Sequence, residues 1–240
     1  MVAKIPKFLR KSPLVSVSCE VRFDSGEPYS DILATKIACD ISGGKFPNVT
    51  RLPISQVPEI ARSRDMLFEP ILGFKVTDID VLVGPNVVVA RTSTYRGWDE
   101  FYKVISDVID KINPVVKSVF RIGFRVVNFF GEKSIDDSLN IFIKSANDCG
   151  LSVMDNDGCS FAVTYAAGQY KARLSYANDA TLVNNGKSLK KGSVVDVDSF
   201  CDNPDGKILG VVSDLHVLGK NVFFECLKAS FIETMEPVYE

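Results

Sequence analysis

Paired cysteines, clustered histidines, an excess of either charge and long apolar runs are all missing from this chain, and each absence removes a class of function. Six cysteines (Cys19, Cys39, Cys149, Cys159, Cys201, Cys226) are scattered with no Cys-x-x-Cys pair, so neither a structural zinc site nor a dithiol redox motif has its ligand spacing. Cys19 alternates with valines as a small core residue does, and reduced, buried thiols in a cytosol fit that pattern. His216 is the only imidazole, so any Ser-His-Asp or Cys-His scheme must use it. No serine or cysteine sits in a nucleophile-elbow context beside it, and a structural place at a packing boundary is the competing role.

Lys and Arg total 28 against 30 Asp and Glu, which lacks the cation excess needed to neutralise many phosphates. Nucleic acid is not an expected partner; Lys187, Lys190 and Lys191 read as a solvated loop. No run approaches the roughly 18 apolar residues of a membrane span. Lys4, Lys7, Arg10 and Lys11 precede Leu-Val-Ser-Val-Ser-Cys, but that apolar stretch falls short of the roughly 7 to 15 residues of a signal h-region. Export and membrane partners are not expected; a cytoplasmic protein is.

Short ligand motifs fail on spacing as well. Gly186-Lys187-Ser188 has Thr181 where a phosphate loop needs its first glycine, and a strand rather than a helix follows. Asp155-Asn156-Asp157-Gly158 would need ligands at Val153 and Thr164 to be a calcium loop. No cofactor and no metal are expected.

What is present is a 46% hydrophobic chain of 240 residues with clear periodicity. Leu14 to Phe23 alternates as a strand with one buried face. A helix over Tyr29 to Ile41 carries Ile32, Leu33 and Ile37 and stops at Gly43-Gly44. Strands follow at Leu72 to Thr77, Val81 to Val83 and Val87 to Thr92. An amphipathic helix runs from Trp98 to Ile112 and is ended by Asn113-Pro114. Residues 116–240 repeat the order: a strand Val119 to Phe130, a helix Ile135 to Asp148, strands near Cys159 to Tyr165, Gln169 to Tyr176 and Ser193 to Val197, then a helix from about Ser213 toward Met235. The expected fold is α+β. Two topologically similar strand-helix-three-strand-helix units, 1–115 and 116–240, join through their first strands into one curved, largely antiparallel sheet backed by helices. The wide apolar stripe of the last helix can be buried within the chain or in a homodimer.

Three groups of residues are candidates for function. Arg121 and Arg125 flank Gly123 on one face of a strand, about 13 Å apart. They suit an anion or an acidic partner segment, or alternatively cross-strand pairing with carboxylates such as Glu20. Tyr95-Arg96-Gly97-Trp98 sits where a strand hands over to a helix, with the lone tryptophan either packing as an anchor or marking an interface. Asp196 and Asp198 share a strand face and suit Mg²⁺, acid/base work or ion pairs, with His216 as a further polar candidate.

Taken in order, Pro13 to Phe23, Gly84-Pro85-Asn86, Tyr95-x-Gly97-Trp98, the Arg121 to Asn128 strand, Val195-Asp196-Val197-Asp198 and the Leu215-His216 helix with Phe231 resemble a family of sporadically distributed, functionally uncharacterised bacterial proteins. In place of that family's hydrophobic-Arg-Tyr-hydrophobic-Asn pattern the chain has Phe124-Arg125-Val126-Val127-Asn128, keeping Arg125 and Asn128 and losing the aromatic. The resemblance implies a cytoplasmic component of a mobile-element, toxin-antitoxin or phage-defence system, with no reaction or cofactor attached. The resulting expectation is a non-enzymatic interaction or sensor protein. It would bind a protein encoded by a neighbouring gene through an open sheet face around Arg121, Arg125, Asn128, Tyr95 and Trp98. A small-ligand-binding or hydrolytic domain with a pocket between sheet and long helix is the alternative.

Overall fold

The computed structural model describes residues 5–44, 48–131, 135, 138–139, 160–184 and 187–239. Most of the helix expected over Ile135 to Asp148, the Asp155 to Gly158 turn, Cys149, Cys159 and Gly186 lie outside the described residues. The chain is α+β. Strands β1 (Phe8–Leu9), β2 (Leu14–Asp24), β3 (Thr50–Arg51), β4 (Leu72–Val76), β5 (Ile79–Gly84), β6 (Val87–Thr92), β7 (Ser118–Gly131), β8 (Ser160–Ala167), β9 (Tyr170–Asn184), β10 (Lys187–Asp202) and β11 (Pro237–Val238) accompany helices α1 (Asp31–Ile41), α2 (Trp98–Ile112), α3 (Ile208–Cys226) and α4 (Ala229–Thr234).

Nine strands form one antiparallel sheet in the order β3-β4-β5-β6-β2-β7-β10-β9-β8. The middle pair is β2 with β7, running from Leu14 opposite Asn128 to Asp24 opposite Ser118. On each side of that pair lies a three-strand meander, β4-β5-β6 or β8-β9-β10, so the strand order reads alike from the seam outward. This is the junction through first strands that the alternation of Leu14 to Phe23 and Val119 to Phe130 predicts.

The pleat assigns the faces. In β2, Val17, Cys19, Val21 and Phe23 are buried; in β7, Ile122, Phe124, Asn128 and Phe130 are; in β10, Val195, Val197, Ser199 and Cys201 are. The helices cover this face. One apolar cluster runs from α1 and α2 across β2, β5 and β6 to Val211, Val212 and Leu215 of α3, and a second joins β9, β10 and α3 through Leu174, Val197 and Phe223. The opposite face of β7 and β10 carries Arg121, Arg125, Asp196 and Asp198.

Several boundaries differ from expectation. The last helix begins at Ile208 and breaks after Cys226, where Leu227 bridges Leu139 and the Lys228 amide donates to the Ser138 carbonyl. The short α4 follows, and β11 then pairs with β1, tying the two ends together. The apolar stripe expected on this helix runs through Leu215, Leu218, Val222 and Cys226; Leu215 and Cys226 are buried with Val211, Val212, Gly219 and Phe223, whereas Leu218 and Val222 are only half-buried. Gly219 sets the buried face: a Cβ there would lie 2.8 Å from Ser199 Oγ, so the helix presses its backbone onto β10 at a residue without a side chain. Ile32, expected in the buried stripe of α1, is 80% exposed, and Leu33, Ala34, Ile37 and Ala38 fill the core instead. The Pro-bearing connection before β4 is strapped to α1 by Arg62, whose buried guanidinium donates to both carboxylate oxygens of Asp31 and to the Val57 carbonyl.

Candidate functional site: a groove between the sheet and helix α3

Strand β7 divides the candidate residues between its two faces. Arg121 and Arg125 point away from the helices, where β10 sets a carboxylate against each. Arg125 donates to both oxygens of Asp196, with Nη2 2.6 Å from Oδ2, and Arg121 Nη2 lies 3.0 Å from Asp198 Oδ2. The Arg121 guanidinium also rests 4.1 Å over the Phe200 ring, and Lys171 and Asp202 extend the row at 3.2 Å. Two pairs that look separate in the sequence are thus one ladder of ion pairs. Glu20, a candidate partner for the arginines, accepts from Arg22 of its own strand instead. Burial raises the Asp198 carboxyl above its ordinary value, with Arg121 and Arg125 pulling the other way. The hydrogen bond to Asp196 raises Arg125. Among the described residues no group of three or more His, Cys, Asp or Glu side chains is placed to hold a metal ion.

Trp98, Tyr95, Asn128 and His216 lie on the other face, so the single contact surface expected around the arginines and Trp98 resolves into two surfaces on opposite sides of the sheet. They line a groove of about 790 Å³. Its floor is Leu14 and Val17 of β2 with Phe124, Val126 and Asn128 of β7, residues brought side by side by the seam register. One wall is α3, which offers His216, Gly219, Lys220 and Phe223 at the i, i+3, i+4, i+7 spacing of one helical face. The other wall is the turn from Tyr95 into the first turn of α2, made by Gly97 at φ +128°, a backbone conformation natural to glycine. The β1 segment supplies a lip through Phe8 and Leu9.

Tyr95, His216 and Asn128 give the groove neutral polar groups, and the half-buried Lys220 on the α3 wall donates its ammonium to the Lys7 carbonyl. Trp98 and His216 stack with ring centroids 3.8 Å apart and planes 4° from parallel, and both rings stand edge-on to Phe124. Burial lowers the His216 imidazole to about 4, with Lys220 one turn along adding to the effect, so it is neutral at physiological pH. Burial, assisted by Asp99, pushes the Tyr95 phenol up to about 12, keeping it protonated. Asn128 is 3% exposed, and its Nδ2 has no hydrogen-bond partner among the described residues. Lys7, Arg96, Asp99 and Glu100 are exposed and lie at the mouth.

Spacing alone pairs Arg125 with Asn128 as one motif, whereas the odd-even alternation of a strand sends them to opposite faces. Gly219 and Phe223 are groove residues that no sequence motif singles out. The one signal for them is the α3 face running through His216. In comparisons with known proteins, no family model and no curated protein matches this chain. Among the described residues no helix is long and apolar enough to cross a membrane.

Proposed function

We propose that this chain is a non-enzymatic sensor that binds a small molecule in the groove between the β2–β7 seam and α3. One observation carries the reading: Asn128 is buried in the groove floor with an amide nitrogen that has no hydrogen-bond partner among the described residues. An unpaired buried donor costs about 1–3 kcal/mol, and a ligand acceptor placed against it would remove that cost. The volume lies within the range of roughly 300–1,000 Å³ usual for small-molecule sites. A hydrolytic role has less support, because burial holds His216 neutral beneath Trp98 and no carboxylate hydrogen-bonds its ring among the described residues.

The opposite face of the sheet is the surface we propose for a protein partner. Its ladder of alternating charges is solvent-accessible, with the Arg125 side chain 55% exposed. The mobile-element or defence setting rests on the family resemblance alone.

The test is purification from the native lysate, followed by native mass spectrometry of wild type and Asn128→Leu. A small molecule retained by the wild type and absent from the variant is the expected result. The variant, which replaces an unpaired amide by an apolar group of similar size, is expected to melt higher by the equivalent of about 1–2 kcal/mol. A molecule retained equally by both proteins, or by neither, would count against the groove.

A further inference from the structure

The inside of the groove restricts what can fill it. Its surface is largely aromatic: Phe8, Tyr95, Trp98, Phe124, Phe223 and Phe224 present rings of differing orientation around an elongated floor. Flat rings favour offset-stacked or edge-to-face neighbours, which a planar ligand satisfies and a flexible aliphatic chain does not. The polar groups beside those rings are a phenol, an imidazole and a carboxamide. The phenol is a donor, the neutral imidazole offers one donor and one acceptor, and the Asn128 amide offers donors and an acceptor. None of these three carries a charge; the cation on the α3 wall, Lys220, donates its ammonium to the Lys7 carbonyl beside the β1 lip. A ligand bringing a full charge against these neutral groups would lose its hydration without an ion pair in return, and the charges of Asp99, Glu100 and Arg96, the last paired with Asp78, lie at the mouth.

An aliphatic carboxylate with its head at the mouth would leave Asn128 Nδ2 unpaired, and one with its head against Asn128 would desolvate a full charge for a single hydrogen bond. A polypeptide segment would bring many backbone polar groups to a lining with few partners for them. A heteroaromatic ring answers both demands at once, since ring nitrogens and exocyclic oxygens are acceptors lying in the plane of a stackable surface.

We infer that the groove takes a planar, uncharged heteroaromatic ring of nucleobase chemistry, laid against its aromatic lining and accepting a hydrogen bond from the Asn128 amide. The inference rests on the groove being a ligand site and adds the class of ligand. The volume left beyond one ring system lets a sugar extend toward the mouth.

Trp98 is the only tryptophan, so its emission reports on this groove and nothing else. Adenosine, guanosine and uridine serve as probes, with octanoate as the charged aliphatic comparison, each titrated into the intact chain and followed by Trp98 fluorescence and calorimetry. At least one nucleoside is expected to bind saturably, with affinity unchanged between about 50 and 500 mM salt because no ion pair forms. Asn128→Leu is expected to weaken it by about 10-fold to 100-fold, the worth of one buried hydrogen bond. Far-UV circular dichroism checks the variant, and Asn128→Ser, with its shorter side chain, replaces it if the leucine does not fold.

Saturable octanoate binding with silent nucleosides would overturn the ligand class while leaving the groove as a binding site. Nucleoside binding that the Asn128 variants do not change would overturn the proposed contact. Silence from every probe, together with a wild-type protein that carries no small molecule from the lysate, would overturn the groove reading as well.

Discussion

His216 illustrates how one residue's neighbours set its chemistry. Stacked under Trp98 and standing on Phe124, it is held neutral to about pH 4 rather than near 6.5. Since the folded state binds its proton less readily than the unfolded chain, stability is full above about pH 6.5 and is lost as pH falls toward 4. Each tenfold loss of proton affinity is worth about 1.4 kcal/mol, which bounds the contribution of this group at roughly 3 kcal/mol. A single histidine makes the proton NMR titration unambiguous: the wild-type imidazole is expected to titrate near 4, and Trp98→Ala to return it toward 6.5 by opening the ring to water. A wild-type midpoint near 6.5 would mean that the stack does not exclude solvent. At the same scale, Tyr95 and Asn128 are legible in the sequence only as members of motifs, because whether an amide is buried and unpaired depends on residues far away in the chain.

Helix α3 is the element that makes both the core and the groove wall. It meets β10 at Gly219, where a Cβ would be 2.8 Å from Ser199 Oγ and 3.8 Å from Ser199 Cβ. Ser199 Oγ is itself buried without a hydrogen-bond partner among the described residues. Gly219→Ala sets a helix-propensity gain of about 1 kcal/mol against an overpacking cost of about 1–3 kcal/mol. The single variant is therefore expected to be less stable than wild type in urea unfolding. Removing the hydroxyl as well leaves an ordinary contact, so the double variant Gly219→Ala with Ser199→Ala is expected to be more stable than wild type. A double variant no better than the single would place the clash on the β10 backbone instead. The helical period marks α3 as buried from the sequence, but it centres the stripe on Leu218 and Val222, since glycine adds nothing to an apolar pattern even where it is the point of closest packing.

For the whole molecule the decisive feature is the β2–β7 seam. The main apolar cluster includes Val17 and Phe23 of β2, Ile122 and Phe124 of β7, and Val211, Val212 and Leu215 of α3. The helix that closes the second set of strands is thus part of the core of the first. Cooperative unfolding follows, because neither set of strands can expose its half of the seam without uncovering the other's apolar face. Urea unfolding is expected to give one transition, with Trp98 fluorescence and far-UV circular dichroism superimposing; two separated transitions would show that the halves hold their own cores. The ladder of Arg125–Asp196 and Arg121–Asp198 lies on the other face of the sheet, outside both apolar clusters.

By itself the sequence determined the α+β class, the α2 helix from Trp98 to Ile112, the β6 strand, and the pairing of two long alternating strands at the sheet centre. Each of these follows from local period and from stop signals such as Asn113-Pro114, which act within a few residues. It also determined which side chains share a face of β7, since alternation along a strand is a property of the backbone. Only the tertiary structure decided what those faces meet. Asp196 and Asp198 reach Arg125 and Arg121 because β10 pairs with β7 across an intervening segment of the chain, and Trp98 reaches His216 because α2 and α3 approach from distant parts of the sequence. The groove is built from such long-range meetings, where register and helix packing, rather than any short motif, fix which atoms come within hydrogen-bonding distance.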